Sequence, residues 1–164
     1  MKQKVYIWFD MDGTIYRLYD VPNWLERLRA EDETVYDVKS YERKSLKHIR
    51  GAVQALIARG VNVGILTWCA MDGANAFNER TLQAKWNWAR RLFPELVNGG
   101  NFRGMPYGTP KHEIAYNVDP DAIHILVDDN NEVRKHWRAM GKNFHAINAK
   151  KGFIKQLLFI GIGN

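Results

Sequence analysis

Asp10 and Asp12 stand two residues apart with Gly13 behind them, directly after the apolar run Val5-Tyr6-Ile7-Trp8-Phe9. Gly13 permits a sharp departure from strand geometry, so both carboxylates can face the space beyond the strand end. Carboxylates so placed can hold a hard cation such as Mg²⁺, which takes oxygen ligands and keeps several waters. They can also divide covalent and proton-transfer work between them. One carboxylate can attack phosphorus and form an aspartyl-phosphate, while a second carboxyl can protonate the leaving oxygen and later deprotonate water. Asp128-Asp129 closes another apolar run, Ile123 to Val127. With Asp10 this pair can supply the cation ligands, because a bound metal removes the repulsion that opposes ionisation of clustered carboxyls. Thr67 follows the run Val61 to Leu66, and its hydroxyl and the amides after it can hold phosphate oxygens, with Lys111 as a point charge. Trp68, next to Thr67, can line the phosphate pocket or contact the substrate.

The elements that must position these residues alternate in type. Val5 to Phe9, Val61 to Leu66, Ile123 to Val127 and Phe144 to Ile147 read as strands buried on both faces. Helices are expected over Leu46 to Ile57 with Gly60 as the stop, over Glu79 to Phe93, and from Val133 to Met140 before Gly141; a closing one runs from Phe153 to Ile160. In the second of these, Leu82, Trp86, Ala89 and Phe93 are expected to share the inner face; in the third, Val133, Trp137 and Met140 do so. Asn98 to Gly108 reads as a Gly-rich loop, and Thr109-Pro110 as a cap and first-turn proline opening a short helix that carries Lys111. One of Asp128 and Asp129 is also a candidate cap for the helix that follows them. Strands alternating with helices imply a parallel sheet covered on both faces, and Asp10, Thr67 and Asp128-Asp129 then fall at its carboxyl edge, where open α/β sheets bind ligands.

Residues 15–45 break this rhythm. Charged residues alternate with aromatics there, with one short helical stretch around Trp24 to Leu28, and the segment reads as a small cap insertion over the first strand. Its Tyr16, Tyr19, Trp24, Tyr36 and Tyr41 either stack on a substrate base or form the core of the cap itself.

At 164 residues the chain suits one domain spanning 1–164. The net charge of +6 attracts anions of any size without choosing among them. Its clusters at Lys44 to Arg50, Arg90-Arg91 and Lys150-Lys151 read as solvated helix faces. Asp10 interrupts the N-terminal apolar run, which is therefore neither a signal peptide nor a membrane span. The single Cys69 excludes an intrachain disulfide and points to a reducing, cytoplasmic setting. No histidine partner accompanies Cys69, so it reads as a small buried side chain, and His124 as a packed strand residue. A calcium loop is excluded because Tyr16 and Arg17 stand where further oxygen ligands are needed. Gly161-Ile162-Gly163 has no helix after it and is no dinucleotide fingerprint.

Phe9-Asp10-Met11-Asp12-Gly13-Thr14 resembles the first motif of the haloacid-dehalogenase (HAD) phosphohydrolases. Leu66-Thr67 is similar to the second motif, Lys111 to the third and Val127-Asp128-Asp129 to the fourth, in the same order. The resemblance implies a three-layer Rossmann-like (HAD-like) α/β domain with the small cap after the first strand, and a Mg²⁺-dependent phosphomonoesterase. It implies Asp10 as nucleophile and metal ligand, and Asp12 as acid/base and as a metal ligand through its backbone carbonyl. It further implies Thr67 and Lys111 as phosphate ligands, Asp129 or Asp128 on the metal, and Gly13 and Thr14 in support. A narrower likeness, carried by Lys85-Trp86-Asn87-Trp88, Phe93-Pro94, Lys111, Val127 to Asn130 and Trp137 to Gly141, is to the 5′(3′)-deoxyribonucleotidase branch. The expected partner is a small phosphorylated molecule, a nucleotide first, ahead of nucleic-acid ends, phosphoprotein or a ligand bound without turnover. No membrane partner is expected.

Overall fold

A computed structural model describes residues 3–37, 45–150 and 152–159. Strand β1 (Val5–Phe9) is followed by two 3₁₀ turns, Leu18–Asp20 and Glu33–Tyr36, with helix α1 (Trp24–Arg29) between them. Then come α2 (Leu46–Ala58), β2 (Asn62–Trp68), α3 (Asn75–Leu92), α4 (Pro94–Asn98) and β3 (Phe102–Met105). The chain continues through α5 (Lys111–Val118), β4 (Ile123–Asp128), α6 (Asn131–Ala139), β5 (Phe144–Asn148) and α7 (Phe153–Phe159). Tyr41 and Gly161 to Gly163 lie outside the described residues. No helix among the described residues is long and apolar enough to cross a membrane.

Alternation along the strands builds three layers. Successive side chains of a strand point to opposite faces, and here Ile7 and Phe9 enter one apolar cluster with Val63, Ile65, Ile125 and Val127. Trp8 enters the other with Leu66, Leu126 and Phe144. Ile49, Val53 and Leu56 of α2, Trp88 and Ala89 of α3, and Phe153 and Leu157 of α7 cover the first face. Ala115 of α5 and Trp137 of α6 cover the second. His124 is packed there as expected: Trp8 donates to its Nδ1 at 3.2 Å, which leaves Nε2–H to donate to the Asp119 carbonyl at 2.8 Å. Burial holds this imidazole below the usual histidine range, in keeping with a neutral ring.

All five strands are parallel, in the order β3-β2-β1-β4-β5. The chain moves outward from β1 through β2 to β3, then returns to place β4 on the other side of β1. The order therefore reverses between β1 and β4, and a crevice opens there beyond the carboxyl ends of the two strands. Phe9 pairs with Val127 in the last register position, so Asp10 and Asp128 leave the sheet side by side.

Several local expectations are corrected. The loop over Asn98 to Gly108 contains the edge strand β3, whose Phe102-Arg103-Gly104-Met105 lacks an alternating pattern. Leu82 packs closely over Gly104, where a Cβ would stand 3.0 Å from Leu82 Cδ1 and closer still to Cδ2, so a larger residue there would have to displace the leucine side chain. Helix α5 begins at Lys111 with Pro110 in the cap position, and no side chain caps it, so Thr109 is not the cap. Helix α3 starts at Asn75, one turn before Glu79, and its buried residues are Phe77, Thr81, Lys85, Trp88 and Ala89. Leu82 and Trp86 are only half-buried, and Met140 after α6 is exposed. Lys47 and Arg50 on α2 and Arg90 and Arg91 on α3 are exposed, as expected of solvated helix faces, whereas Lys150 is exposed on the bend before α7 and not on a helix; Lys44 and Lys151 lie outside the described residues.

Candidate active site

The turn after β1 determines where its two aspartates go. Asp10 N–H donates to the Val127 carbonyl at 2.9 Å and completes the β1–β4 ladder. Beyond it the Met11 side chain is fully buried, and its carbonyl accepts from the N–H groups of Thr14, Ile15 and Tyr16 at 3.2, 3.0 and 2.9 Å. Gly13 sits at φ +76°, in the left-handed region that suits glycine. A Cβ on it would lie 2.6 Å from Tyr19 Cε2 and 2.8 Å from Asp129 Cγ, closer still to Asp129 Oδ2. The absent side chain is the space into which Asp129 fits.

Lys111 reaches the crevice from the start of α5. Its Nζ lies 2.5 Å from Asp10 Oδ1 and 2.8 Å from Asp128 Oδ2, and all three residues are buried. Thr14 Oγ donates to the other Asp10 oxygen at 3.3 Å. Asp128 Oδ1 accepts from the Asn130 amide at 2.8 Å. The cap of α6 is Asn130, whose side chain accepts from the Glu132 and Val133 amides, so neither Asp128 nor Asp129 performs that task. Asp10, Asp128 and Asp129 each offer an oxygen within 4.8 Å of the others.

This crowding is visible in the acid–base behaviour. Burial, reinforced by the Asp10 charge, pushes the Asp129 carboxyl up to about 6. Burial and Asp10 also raise Asp128, against the opposing pull of Lys111. Asp12 is raised by burial, with Lys85 working against the shift. Burial alone would lower Lys111, but the Asp10 and Asp128 carboxylates outweigh it and hold the ammonium charged. Carboxyls packed this closely oppose each other's ionisation, and a divalent cation relieves that opposition. The donor set is all carboxylate oxygen, the kind a hard cation such as Mg²⁺ takes beside a phosphate. With the Asp129 cradle at Gly13, the residues fit such an ion.

Thr67 is fully buried at the end of β2, and its Oγ accepts a hydrogen bond from Lys85 at 3.0 Å. Trp68 is half-buried; its indole N–H donates to the Thr109 carbonyl at 2.8 Å, and its ring lies under Lys111 Nζ, 5.0 Å from the centroid. Cys69 is buried, and burial pushes its thiol up, away from a nucleophilic thiolate.

Asp12 is held by two residues that the four motifs do not contain. Lys85 Nζ lies 2.6 Å from Asp12 Oδ2, and Tyr36 OH donates to the same oxygen at 3.4 Å. Lys85 is fully buried in the middle of α3. One signal was available in the sequence: Phe77, Thr81, Lys85, Trp88 and Ala89 recur at helical spacing, with a lysine in the middle of the stripe.

A cavity of about 180 Å³ is lined by Asp10, Asp12, Lys111 and Asp128-Asp129 at its acidic end. Leu18, Tyr19, Trp24, Leu25, Leu28 and Tyr36 line it too, so the 15–37 segment forms part of the wall. The aromatics of this segment divide by burial. Tyr16 is completely buried, tilts against Tyr36 at 5.6 Å and donates to the Val35 carbonyl, so it belongs to the core. Tyr36 is buried as well, whereas Tyr19 is 53 % exposed and meets Trp24 edge-on at 5.2 Å.

No protein-family model matches the chain, and no curated protein matches it by sequence. Among solved structures, a protein of Burkholderia xenovorans described as a haloacid dehalogenase-like hydrolase aligns with 90 % of this chain and 84 % of its own, at a TM-score of 0.53 and 13 % identity. The HAD domain of effector protein Lem4 from Legionella pneumophila aligns over 97 % of both chains at a TM-score of 0.45 and 17 % identity. The first likeness is one of fold: the chain has the parallel α/β architecture of HAD-like hydrolases.

Proposed function

We propose that the protein is a Mg²⁺-dependent phosphomonoesterase that works through an aspartyl-phosphate on Asp10. The observation that carries this reading is the buried Asp10–Lys111–Asp128 cluster, with ammonium-to-carboxylate distances of 2.5 and 2.8 Å, in the crevice where the strand order reverses. An Asp10 oxygen attacks phosphorus while the bond to the ester oxygen breaks. Asp12, protonated, gives its proton to that oxygen, and the alcohol leaves. Water then attacks the aspartyl-phosphate, loses a proton to Asp12, and releases inorganic phosphate and free Asp10. Lys111 offsets charge on the phosphoryl oxygens, with the Thr67 hydroxyl and the amides after it as hydrogen-bond donors. Asp10, Asp128 and Asp129 would hold the Mg²⁺, with the Asp12 carbonyl as a further ligand; the ion supplies Lewis-acid neutralisation of phosphoryl charge.

A small ester is favoured over an oligonucleotide end or a phosphoprotein, because the acidic cluster shares one cavity of about 180 Å³ with the apolar wall of Leu18, Tyr19, Trp24 and Leu28. Aromatic faces in that wall suit a nucleobase, so nucleoside monophosphates head the list of substrates. The test is phosphate release from a panel of phosphate esters with and without Mg²⁺, with Asp10→Asn as control. Turnover that needs the ion and vanishes in Asp10→Asn is expected. A folded wild-type protein that hydrolyses nothing in the panel would reduce the site to phospho-ligand binding.

A further inference from the structure

Lys85 is a buried ammonium in the middle of a helix. Taking such a charge out of water is expensive unless every donor is satisfied and an opposite charge is near. Its three N–H groups have three acceptors: Asp12 Oδ2 at 2.6 Å, the Trp68 carbonyl at 2.6 Å and Thr67 Oγ at 3.0 Å. The Tyr36 ring closes the remaining side, with Nζ 4.9 Å from its centroid. A single cation on α3 thus ties the turn after β1 to the end of β2, and its two side-chain acceptors, Asp12 and Thr67, are groups to which the proposed reaction gives work.

Two consequences follow from donor and acceptor counting. Asp12 Oδ2 already accepts from Lys85 and from Tyr36 OH, whereas Asp12 Oδ1 is buried with no hydrogen-bond partner among the described residues. Oδ1 is therefore the oxygen left to exchange a proton. Thr67 Oγ spends a lone pair on Lys85, which turns its own O–H away from the ammonium. We propose that Lys85 is a positioning residue, one that orients Asp12 for proton transfer through Oδ1. This rests on the phosphatase reading above and assigns a role to a side chain outside the four motifs.

A general acid matters most when the leaving oxygen is a poor leaving group. An alkoxide needs the proton from Asp12, whereas a p-nitrophenolate departs nearly without it. The experiment compares kcat/KM of wild type, Lys85→Met and Lys85→Arg, with Mg²⁺, on p-nitrophenyl phosphate and on alkyl monophosphates (thymidine 5′-monophosphate, glucose 6-phosphate, glycerol 3-phosphate). The ratio of alkyl to aryl rates is taken within each preparation, so any loss of folded protein cancels. Lys85→Met should lower that ratio at least about tenfold, a part of the roughly 10²–10⁴-fold that general acid catalysis contributes, and Lys85→Arg should recover part of it. Equal loss on both substrate classes would reduce Lys85 to a core staple and overturn the proposal. A wild type inactive on every ester would instead remove the phosphatase reading, and this inference with it.

Discussion

Replacing Gly13 by alanine tests the acidic cluster and the fold in one variant. At φ +76° an alanine pays left-handed strain of about 1–2 kcal/mol. Its Cβ would also stand 2.6 Å from Tyr19 Cε2 and 2.8 Å from Asp129 Cγ. Tyr19 is 53 % exposed and can swing outward, and Asp129 is half-buried and can rotate. The collision is therefore relieved by side chains rather than by the sheet, and the total loss should stay at about 1–3 kcal/mol, within the usual range for one substitution. For a domain of this length that corresponds to a fall in Tm of about 2–12 °C. The second effect is on the ion. A rotated Asp129 no longer shares its site with Asp10 and Asp128, and disturbed metal surroundings typically weaken affinity by about 10–100-fold. Calorimetric melting in EDTA reads the first effect; Mg²⁺ titration by isothermal calorimetry and by phosphate release reads the second. Melting lowered with Mg²⁺ affinity unchanged would remove Asp129 from the proposed ligands. Neither changing would refute the cradle argument itself.

Lys111→Met should destabilise the metal-free protein by about 3–5 kcal/mol in urea denaturation, because it strands the buried Asp10 and Asp128 carboxylates. Mg²⁺ should restore part of that, and an unchanged midpoint in EDTA would show the ion pairs to be inconsequential. The Asp129 carboxyl, raised to about 6, keeps a proton in the folded state that the unfolded chain has lost. Its stabilising contribution is thus complete below about pH 4 and fades as pH rises through about 6. Mg²⁺ binds the ionised form, so the gain in Tm on adding it should be small near about pH 5 and clearly larger near about pH 7.5; a gain independent of pH contradicts the assignment. Trp24→Ala should raise KM for a nucleoside monophosphate by about 5–150-fold if the base stacks there, with glycerol 3-phosphate little affected. Equal changes on both would mean that Trp24 only shapes the wall.

Much of the candidate site's placement is legible along the chain because each part is local. An apolar, β-branched run stops at Asp10, Thr67 or Asp128, and in a parallel sheet such stops share one edge. The order of strands and helices, and hence the layered α/β fold, follows from the same short-range patterns. Edge strand β3 escaped because only one side of it pairs: Phe102-Arg103-Gly104-Met105 answers to β2 and to Leu82 rather than to a two-sided core. The segment 15–37 was ambiguous for a similar reason. Aromatic spacing does not say that Tyr16 goes to the core while Tyr19 and Trp24 line the cavity.

Asp10-x-Asp12-Gly13, Thr67 and Asp128-Asp129, with the strand ends that carry them, and Lys111, with the helix start that carries it, are thus properties of the sequence by itself, because backbone breaks and apolar runs act over a few residues. Only the tertiary structure decided which face of α3 turns inward. Apolar content alone favoured Leu82 and Trp86, yet Lys85 is the residue buried, since its ammonium finds Asp12, Thr67 and the Trp68 carbonyl together. Those acceptors lie 73, 18 and 17 residues away along the chain. A buried charge is acceptable only where its partners converge, and that convergence exists only once β1, β2 and α3 have packed.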